Sequence, residues 1–267
     1  MLNLPPNPQF CQTDVSGSTF VNADCFDVFP FIEDKSIDAI ICDLPYGTTA
    51  CKWDSVLPFD KLWEQYKRVI KSNGVVVLFG SEPFSSYLRM SNIKNYKYDW
   101  VWIKNKYNSG FAHAKNKPLK KNENVCVFSF APMGHKVQLG DKRMNYNPQG
   151  LKIINKYRNN MTFQDASFGK RPSSRNTVQE FENYPNNLLY YDVEEKGKFK
   201  HPTQKPLELL EYLIKTYTNE GDMVLDNTMG SGTTNLACIK LNRKSIGIEK
   251  EKQYYDVAVR RASEYCH

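Results

Sequence analysis

The chain has no long apolar run. Nothing in its 267 residues approaches the roughly 18–20 consecutive apolar residues that a membrane-spanning helix needs. The first ten residues, Met1 to Phe10, are polar and proline-rich rather than leader-like, so the expectation is a cytoplasmic protein that does not enter the membrane. Metal-binding patterns are scarce too. The seven cysteines (Cys11, Cys25, Cys42, Cys51, Cys126, Cys238 and Cys266) are scattered, form no CxxC pair, and have only four histidines to complete a site. That pattern excludes a disulfide framework and gives no metal; reduced thiols, several of them buried beside apolar strands, are expected instead. There is no internal repeat and no low-complexity tract.

What is present is an ordinary globular composition, 40% hydrophobic and 24% charged, with an aromatic share of 13% that is on the rich side. A chain of this length can build one large α/β domain with a small insert. The formal charge of +7 is unevenly spread. From Lys94 to Asn124 there are eight lysines against two acids, and from Asp141 to Glu180 eight Lys or Arg against three acids. Such stretches also suit a solvated face. Interleaved rings at Tyr98, Trp100, Trp102, Tyr107, Phe111, Tyr146, Tyr157, Phe163 and Phe168 point toward nucleic acid, because cations follow phosphates while rings stack on bases.

The first buried strand reads at 37–42, an apolar run that ends on Asp43. A helix follows over 58–72, with Leu62, Tyr66, Val69 and Ile70 on one face and Asn73-Gly74 as its stop signal. Residues 75–79 are a short, continuously apolar strand of the type a parallel sheet covered on both faces uses. Residues 84–90 read as a helix, 98–103 and 125–130 as strands, and the alternating order favours an α/β layer fold. Regularity fades between 131 and 200, too long a stretch for an idle loop. It returns with a helix over 206–219, a strand at 223–225 running into Asp226, a helix ending near Leu241, and a strand at 244–248 running into Glu249.

Two groupings carry chemistry. Asp226 closes a strand, the glycines of Met229-Gly230-Ser231-Gly232-Thr233-Thr234 permit a tight turn into a helix, and Glu249 closes the next strand 23 residues beyond Asp226. That is where a ribose-binding acid is expected. The dinucleotide fingerprint is not met, since Asn235 stands three residues after Gly232, and no phosphate-binding P-loop occurs. A cofactor with an adenosine end and no pyrophosphate suits both absences, although a structural strand-to-helix turn would read similarly.

The second grouping is Asp43-Leu44-Pro45-Tyr46. A strand end here places a carboxylate, a carbonyl held ahead of proline and an aromatic ring at the carboxyl edge of a sheet, where open α/β proteins bind ligands. Such a turn can be purely structural. As a site it suits an exocyclic amine, whose lone pair is delocalised into its ring. If Asp43 and the Leu44 carbonyl accept the two amine hydrogens, the lone pair becomes available for attack, and Tyr46 can stack on the extruded base.

Asp43-Leu44-Pro45-Tyr46 resembles the [D/N/S]-P-P-[Y/F/W] motif of the DNA amino-methyltransferases, and Asp226-Asn227-Thr228-Met229-Gly230-Ser231-Gly232-Thr233-Thr234 resembles their D-P-F-x-G-S-G-T-T motif. The order, catalytic motif first, is that of the permuted β group. Ala23-Asp24-Cys25 resembles the adenine-side cofactor motif, Trp102-Ile103-Lys104-Asn105 a later strand motif, and His201-Pro202-Thr203-Gln204-Lys205-Pro206 the motif whose Lys-Pro edges the methionine end. The resemblance implies a Rossmann-like class I methyltransferase sheet with circularly permuted motif order. It implies S-adenosylmethionine held by Asp24, Cys25, Asp43, Lys205, Asp226, Gly230, Ser231, Gly232, Thr233, Thr234 and Glu249, and catalysis by Asp43, Leu44, Pro45 and Tyr46. The substrate it implies is double-stranded DNA with a flipped base, in a bacterial or phage setting, with monomer and homodimer both open. Aspartate at the head of the motif resembles the adenine-N6 members; cytosine-N4 methylation, an RNA amino group or a catalytically silent DNA-binding module are the alternatives.

The expected organisation is a catalytic half over 1–130, a target-recognition insert over 131–200 and a cofactor half over 201–267, with the strands ending at Asp43 and Asp226 as neighbours. Arg143, Arg158, Lys170, Arg171 and Arg175 of the insert are candidates for DNA contacts. Two positions depart from the pattern: Leu44 stands for the first proline, and Asn227-Thr228 for Pro-Phe. Cys42 reads as a buried thiol rather than a nucleophile, Trp53 and Trp63 as packing residues, and His113 and His135 as surface contacts.

Overall fold

The computed structural model describes residues 2, 4, 10–48, 54–104, 106, 110–134, 139–158, 164–165, 169–170, 177–193 and 204–266. Along the chain lie β1 (Cys11–Val15), β2 (Ser18–Asn22), α1 (Cys25–Val28), β3 (Ile37–Cys42), α2 (Phe59–Val69), β4 (Ile70–Gly80), α3 (Phe84–Ser91), β5 (Tyr96–Ile103) and β6 (Asn122–Phe128). Then come β7 (Lys152–Arg158), β8 (Gln164–Asp165), β9 (Gly169–Lys170), β10 (Thr177–Glu182) and β11 (Leu188–Tyr190). The chain closes with α4 (Leu207–Tyr217), β12 (Met223–Asp226), α5 (Thr233–Lys240), β13 (Lys244–Glu249) and α6 (Lys252–Cys266).

Nine strands form one sheet in the order β1-β2-β13-β12-β3-β4-β6-β5-β11. β2, β13, β12, β3 and β4 run parallel, β6 is antiparallel to both β4 and β5, and β11 returns parallel to β5. Sequence therefore alternates between the two ends of the chain at the middle of the sheet, where β12 pairs with β3 through Leu225 opposite Ile40.

Every residue of β3 is buried, because both faces of the sheet are covered. Ile40 and Cys42 belong to the core shared with α1, α2 and α3, whereas Ala39 and Ile41 belong to the core shared with α4 and α5. A strand buried on both sides is apolar wherever a side chain has no polar partner, which is why it reads as a nearly continuous run; its one charged residue, Asp38, is paired with Lys71 and accepts from the Met223 amide. A third, smaller cluster joins Phe20 of β2 and Met229 to Tyr255, Ala258 and Ala262 of α6.

Two expectations are corrected. The earliest buried strand is β2, with four buried residues in five, rather than β3. The second helix stops at Val69, and Ile70 to Ser72 begin β4, which runs through Asn73-Gly74 without stopping. A Cβ at Gly74 would lie 2.5 Å from Ile70 Cγ1 and 2.8 Å from the Asp38 carbonyl, so this glycine permits close strand approach at the irregularity between Ile37 and Ala39. The chain divides into two compact units, Pro148–Asn186 and the remainder; the smaller falls within the 131–200 stretch expected to be the insert. Met144 and Leu189 are buried in the main core, and β11 is a strand of the main sheet.

The smaller unit contains the antiparallel ribbon β7–β10 and the two-residue pair β8–β9. Ile153, Tyr157 and Val178 of the ribbon are exposed, as is Tyr184 beyond it. Among the described residues no helix is long and apolar enough to cross a membrane, and no cluster of three or more His, Cys, Asp or Glu is placed to hold a metal.

Candidate active site

The parallel strands deliver their carboxyl ends to one edge of the sheet. Asp24 follows β2, Glu249 ends β13, Asp226 ends β12 and Asp43 follows β3. The antiparallel β6 begins at that edge with Asn122-Glu123, opposite Ile103 and Trp102 at the end of β5. Sequence-distant acids are thus gathered by topology, with the Asp43 and Asp226 strands adjacent.

The Asp43 turn is pinned from both sides. Leu44 is 3% exposed and packs in the core beneath the sheet, so burial of its side chain holds the turn where the family pattern has a proline. Past the turn, the Gly47 and Thr48 amides donate to the two carboxylate oxygens of Asp54, each at 2.9 Å. The Tyr46 ring stacks on Phe84 at 4.8 Å between centroids with a 27° interplanar angle. Its hydroxyl donates to Asp43 Oδ1 at 2.7 Å.

Lys205 donates to the other carboxylate oxygen, Asp43 Oδ2, at 2.6 Å. It also lies 3.4 Å from Glu123 Oε2, and Glu123 is in turn paired through Oε1 with Lys104. The result is an alternating chain of charge, Lys104–Glu123–Lys205–Asp43, with no net charge. Burial raises the Asp43 carboxyl above its ordinary value even though Lys205 draws it down. Burial would raise Glu123 as well, but the ammonium groups of Lys205 and Lys104 outweigh it and hold that carboxyl low. For Lys205, burial works against the ammonium, and Asp43 and Glu123 reverse the effect to hold its pKa above the usual lysine value.

The glycine turn is built as tightly. The Gly230 amide donates to Glu249 Oε2 at 2.9 Å and the Glu251 amide to Glu249 Oε1 at 2.8 Å. Asp226 accepts from the Thr228 amide at 3.2 Å. Burial pushes its carboxyl up to about 7, a shift that the Thr234 hydroxyl and the Thr228 amide reduce and the nearby Asp43 charge enlarges. Glu249 is raised by burial too. Gly232 has φ +72°, and a Cβ there would sit 2.7 Å from Ala258 Cβ, so its requirement for glycine comes from left-handed backbone and from α6 packing.

Ser231 and Thr233 are buried braces. Arg261 of α6 donates to the Ser231 carbonyl at 2.6 Å and to Thr233 Oγ1 at 3.1 Å, and the Ser231 hydroxyl donates to Gln204 Oε1 at 2.9 Å. Neighbouring residues Gln204 and Lys205 therefore touch the two halves of the site, one on the glycine turn and one on Asp43. Asp24 caps α1 by accepting from the Phe26 amide at 3.0 Å and pairs with Lys250 at 3.1 Å. Cys25 is a core residue whose thiol burial pushes up to about 12.

The two positions that depart from the family pattern join the turns to each other. Asn227 Oδ1 accepts from the Tyr66 hydroxyl at 2.6 Å and from the Cys42 thiol at 3.1 Å. The Thr228 hydroxyl donates to the Asp43 carbonyl at 3.1 Å. Cys42 is buried at 1% exposure and burial raises its thiol well above the ordinary value, an environment that disfavours the nucleophilic thiolate. Trp63 is buried and donates to Ser91 Oγ, and His113 is exposed, both as expected.

Of the DNA-contact candidates, Arg143 lies in the main unit, partly buried. Arg158 and Lys170 end β7 and β9, while Arg171 and Arg175, like Trp53, His135 and 201–203, lie outside the described residues. Sequence reading missed Glu123, Gln204, Asn227 and Arg261. Glu123 and Arg261 fall in no recognised motif, and the others gain meaning only from partners far along the chain.

The donor set fits S-adenosylmethionine. Four carboxylates, Asp24, Asp43, Asp226 and Glu249, stand at this edge; they would repel a pyrophosphate, and suit ribose hydroxyls, an ammonium and a sulfonium. A nine-stranded, mostly parallel sheet with this edge defines a class I S-adenosylmethionine-dependent methyltransferase. The family described as DNA methylase, the N6/N4 methyltransferases, matches residues 37–260, and the chain belongs to it. The Type II methyltransferase M.HpaI of Haemophilus parainfluenzae is 32% identical over 246 residues, covering 86% of this chain and 69% of that protein. M1.MboII of Moraxella bovis is 26% identical over 254 residues, covering 88% and 92%. Among solved structures, the M1.HpyAVI–SAM complex superposes with a TM-score of 0.57 at 28% identity, over 91% of this chain and 97% of that one. The cytosine-N4-specific PvuII DNA methyltransferase shares the fold, with a TM-score of 0.65 at 16% identity over 93% and 87%.

Proposed function

We propose that this protein is a site-specific DNA methyltransferase of the permuted β group that methylates N6 of an adenine turned out of the duplex. The observation that carries the reading is the adjacency of the Asp43 turn to the Asp226–Gly230–Glu249 edge, on strands paired side by side. Asp24, Asp226, Gly230, Glu249 and Lys205 are the residues that would hold S-adenosylmethionine, with Ser231, Gly232, Thr233 and Thr234 shaping the turn. When bound, the cofactor supplies an electrophilic sulfonium methyl group.

Asp43 and the Leu44 carbonyl accept the two hydrogens of the target amine, which localises the nitrogen lone pair for in-line attack. With the methyl group supplied there and the carbon–sulfur electrons kept by the departing sulfur, Asp43 would take one amine proton and pass it on to water. Pro45 keeps the Leu44 carbonyl in extended backbone. Tyr46 holds the base by stacking, a contribution of about 1–3 kcal/mol against an extrusion cost of a few kcal/mol. The 148–186 unit, with Lys152, Lys156 and exposed Tyr157 on β7, is the element that reads DNA, assisted by Arg143, Arg158, Lys170, Arg171 and Arg175. The Type II relatives support a place in a restriction–modification system.

Asp43→Ala abolishes methylation while cofactor binding persists, and a variant with near-wild-type turnover removes the assigned chemistry. Nucleoside digestion of methylated duplex DNA with mass detection yields N6-methyladenine; N4-methylcytosine would transfer the same geometry to cytosine. Preference for structured RNA over duplex DNA, or failure to bind S-adenosylmethionine in calorimetry, would favour the RNA-modifying or silent alternatives.

A further inference from the structure

Both oxygens of the Asp43 carboxylate are engaged, Oδ1 by the Tyr46 hydroxyl and Oδ2 by Lys205. Each oxygen can accept a second donor, but Oδ2 held at 2.6 Å by a buried ammonium is a weakened and crowded acceptor, so a target amine gains if Lys205 shifts away. Lys205 is buried, with a side chain only 10% exposed, and a buried ammonium that loses its counter-charge is strongly destabilising. Glu123 Oε2 offers the alternative. It lies 3.4 Å from Lys205 Nζ, is buried, and makes no hydrogen bond among the described residues. Lys104 occupies the other Glu123 oxygen and keeps the side chain oriented.

We propose that Glu123 is a positioning residue for methyl transfer: it receives the Lys205 ammonium, so that Asp43 Oδ2 can be given to the target amine without stranding a buried cation. The inference rests on the reading of Asp43 as amine acceptor. Movement of Lys205 from one carboxylate toward the other displaces no net charge, because Lys104, Glu123, Lys205 and Asp43 sum to zero. Without Glu123, Asp43 is the nearest remaining counter-ion and Lys205 stays clamped on it. The ionisable groups facing Asp43 are Tyr46 of its own turn, Lys205 ahead of α4, Glu123 of β6 and Asp226 of β12; Lys104, just after β5, acts through Glu123.

The test is the pH profile of the single-turnover methylation rate for wild type, Glu123→Gln, Glu123→Asp and Asp43→Ala on duplex DNA with saturating S-adenosylmethionine. Glu123→Gln is expected to lose about tenfold or more in its plateau rate while still binding the cofactor in calorimetry. Its acidic limb moves to lower pH, because the negative charge that opposes ionisation of Asp43 is gone; Glu123→Asp restores the limb. A purely structural role lowers the plateau and leaves the limb in place, and that result, or a Glu123→Gln plateau equal to wild type, overturns the proposal. Should Glu123→Gln not fold, Glu123→Ala carries the test with the same two readouts: a lowered plateau with the limb moved to lower pH supports the role, and an unmoved limb or a wild-type plateau overturns it. Activity in Asp43→Ala would instead sink the underlying reading.

Discussion

The Thr228 hydroxyl donates to the carbonyl oxygen of Asp43 across 3.1 Å, a direct tie between the glycine turn and the Asp43 turn. The two residues are far apart in sequence and become neighbours because β12 and β3 pair in parallel. One residue earlier, Asn227 makes a second tie, to Cys42 and Tyr66. The departures from Pro-Phe at these positions therefore exchange an apolar wedge for hydrogen bonds that register one turn against the other.

Thr228→Val removes the tie while keeping the shape of the side chain. A hydrogen bond of this type contributes about 0.5–1.5 kcal/mol, so a loss of about threefold to tenfold in kcat is expected, with cofactor affinity nearly unchanged. Steady-state kinetics alongside calorimetry reads both, and an unaltered kcat would show that the bond does not position Asp43.

Asp226 gives a pH dependence of stability. Its folded pKa of about 7 stands above the ordinary carboxylate value, so the folded state binds more protons than the unfolded state through that interval. The contribution of this group is therefore most favourable in acid and is lost as pH rises toward and through 7. Asp226→Asn cannot ionise, so its Tm advantage over wild type grows between pH 5 and pH 8 while cofactor binding weakens. Parallel Tm curves for the two proteins would contradict the buried-acid assignment.

Leu44 anchors the Asp43 turn by burial. Leu44→Ala removes a core side chain and is expected to cost about 2–5 kcal/mol of stability, together with kcat. Chemical denaturation measures the first quantity, and a cost below about 1 kcal/mol would mean that the turn is held by other contacts.

Cys42→Ser tests the excluded thiol. Since the buried Cys42 thiol stays protonated, the variant retains methylation within a few-fold of wild type. Complete inactivation, or a covalent adduct between wild type and DNA that vanishes in the variant, would reinstate a cysteine nucleophile.

Most of the sheet and half of the site were legible in advance. The strand at 37–42 was read at its observed bounds, and those at 223–226 and 244–249 close to theirs, because a strand buried on both faces announces itself through its own side chains. The glycine turn and the Asp43 turn were readable for a similar reason: strained or tight backbone demands particular residues locally. The end of the helix at Val69 was misplaced because Asn73-Gly74 is a stop signal in isolation, and only the approach of Asp38 and Ile70 reveals that Gly74 belongs to a strand. The three-residue β11, with an exposed–buried–exposed pattern, is too short to carry a period, so its segment was assigned to the insert.

The sequence by itself determined the chemistry on offer: an acid, a carbonyl held before proline and a ring in one turn, and a glycine turn between two acid-tipped strands in another. Local composition suffices there, since backbone conformation and side-chain type are properties of adjacent residues. Only the tertiary structure decided who faces whom. It brought Lys205 onto Asp43, set Glu123 behind it, and turned Asn227 and Thr228 from irregularities into ties. Ion pairs and hydrogen bonds act over a few ångströms of space, and the distance along the chain carries no information about which of them will form.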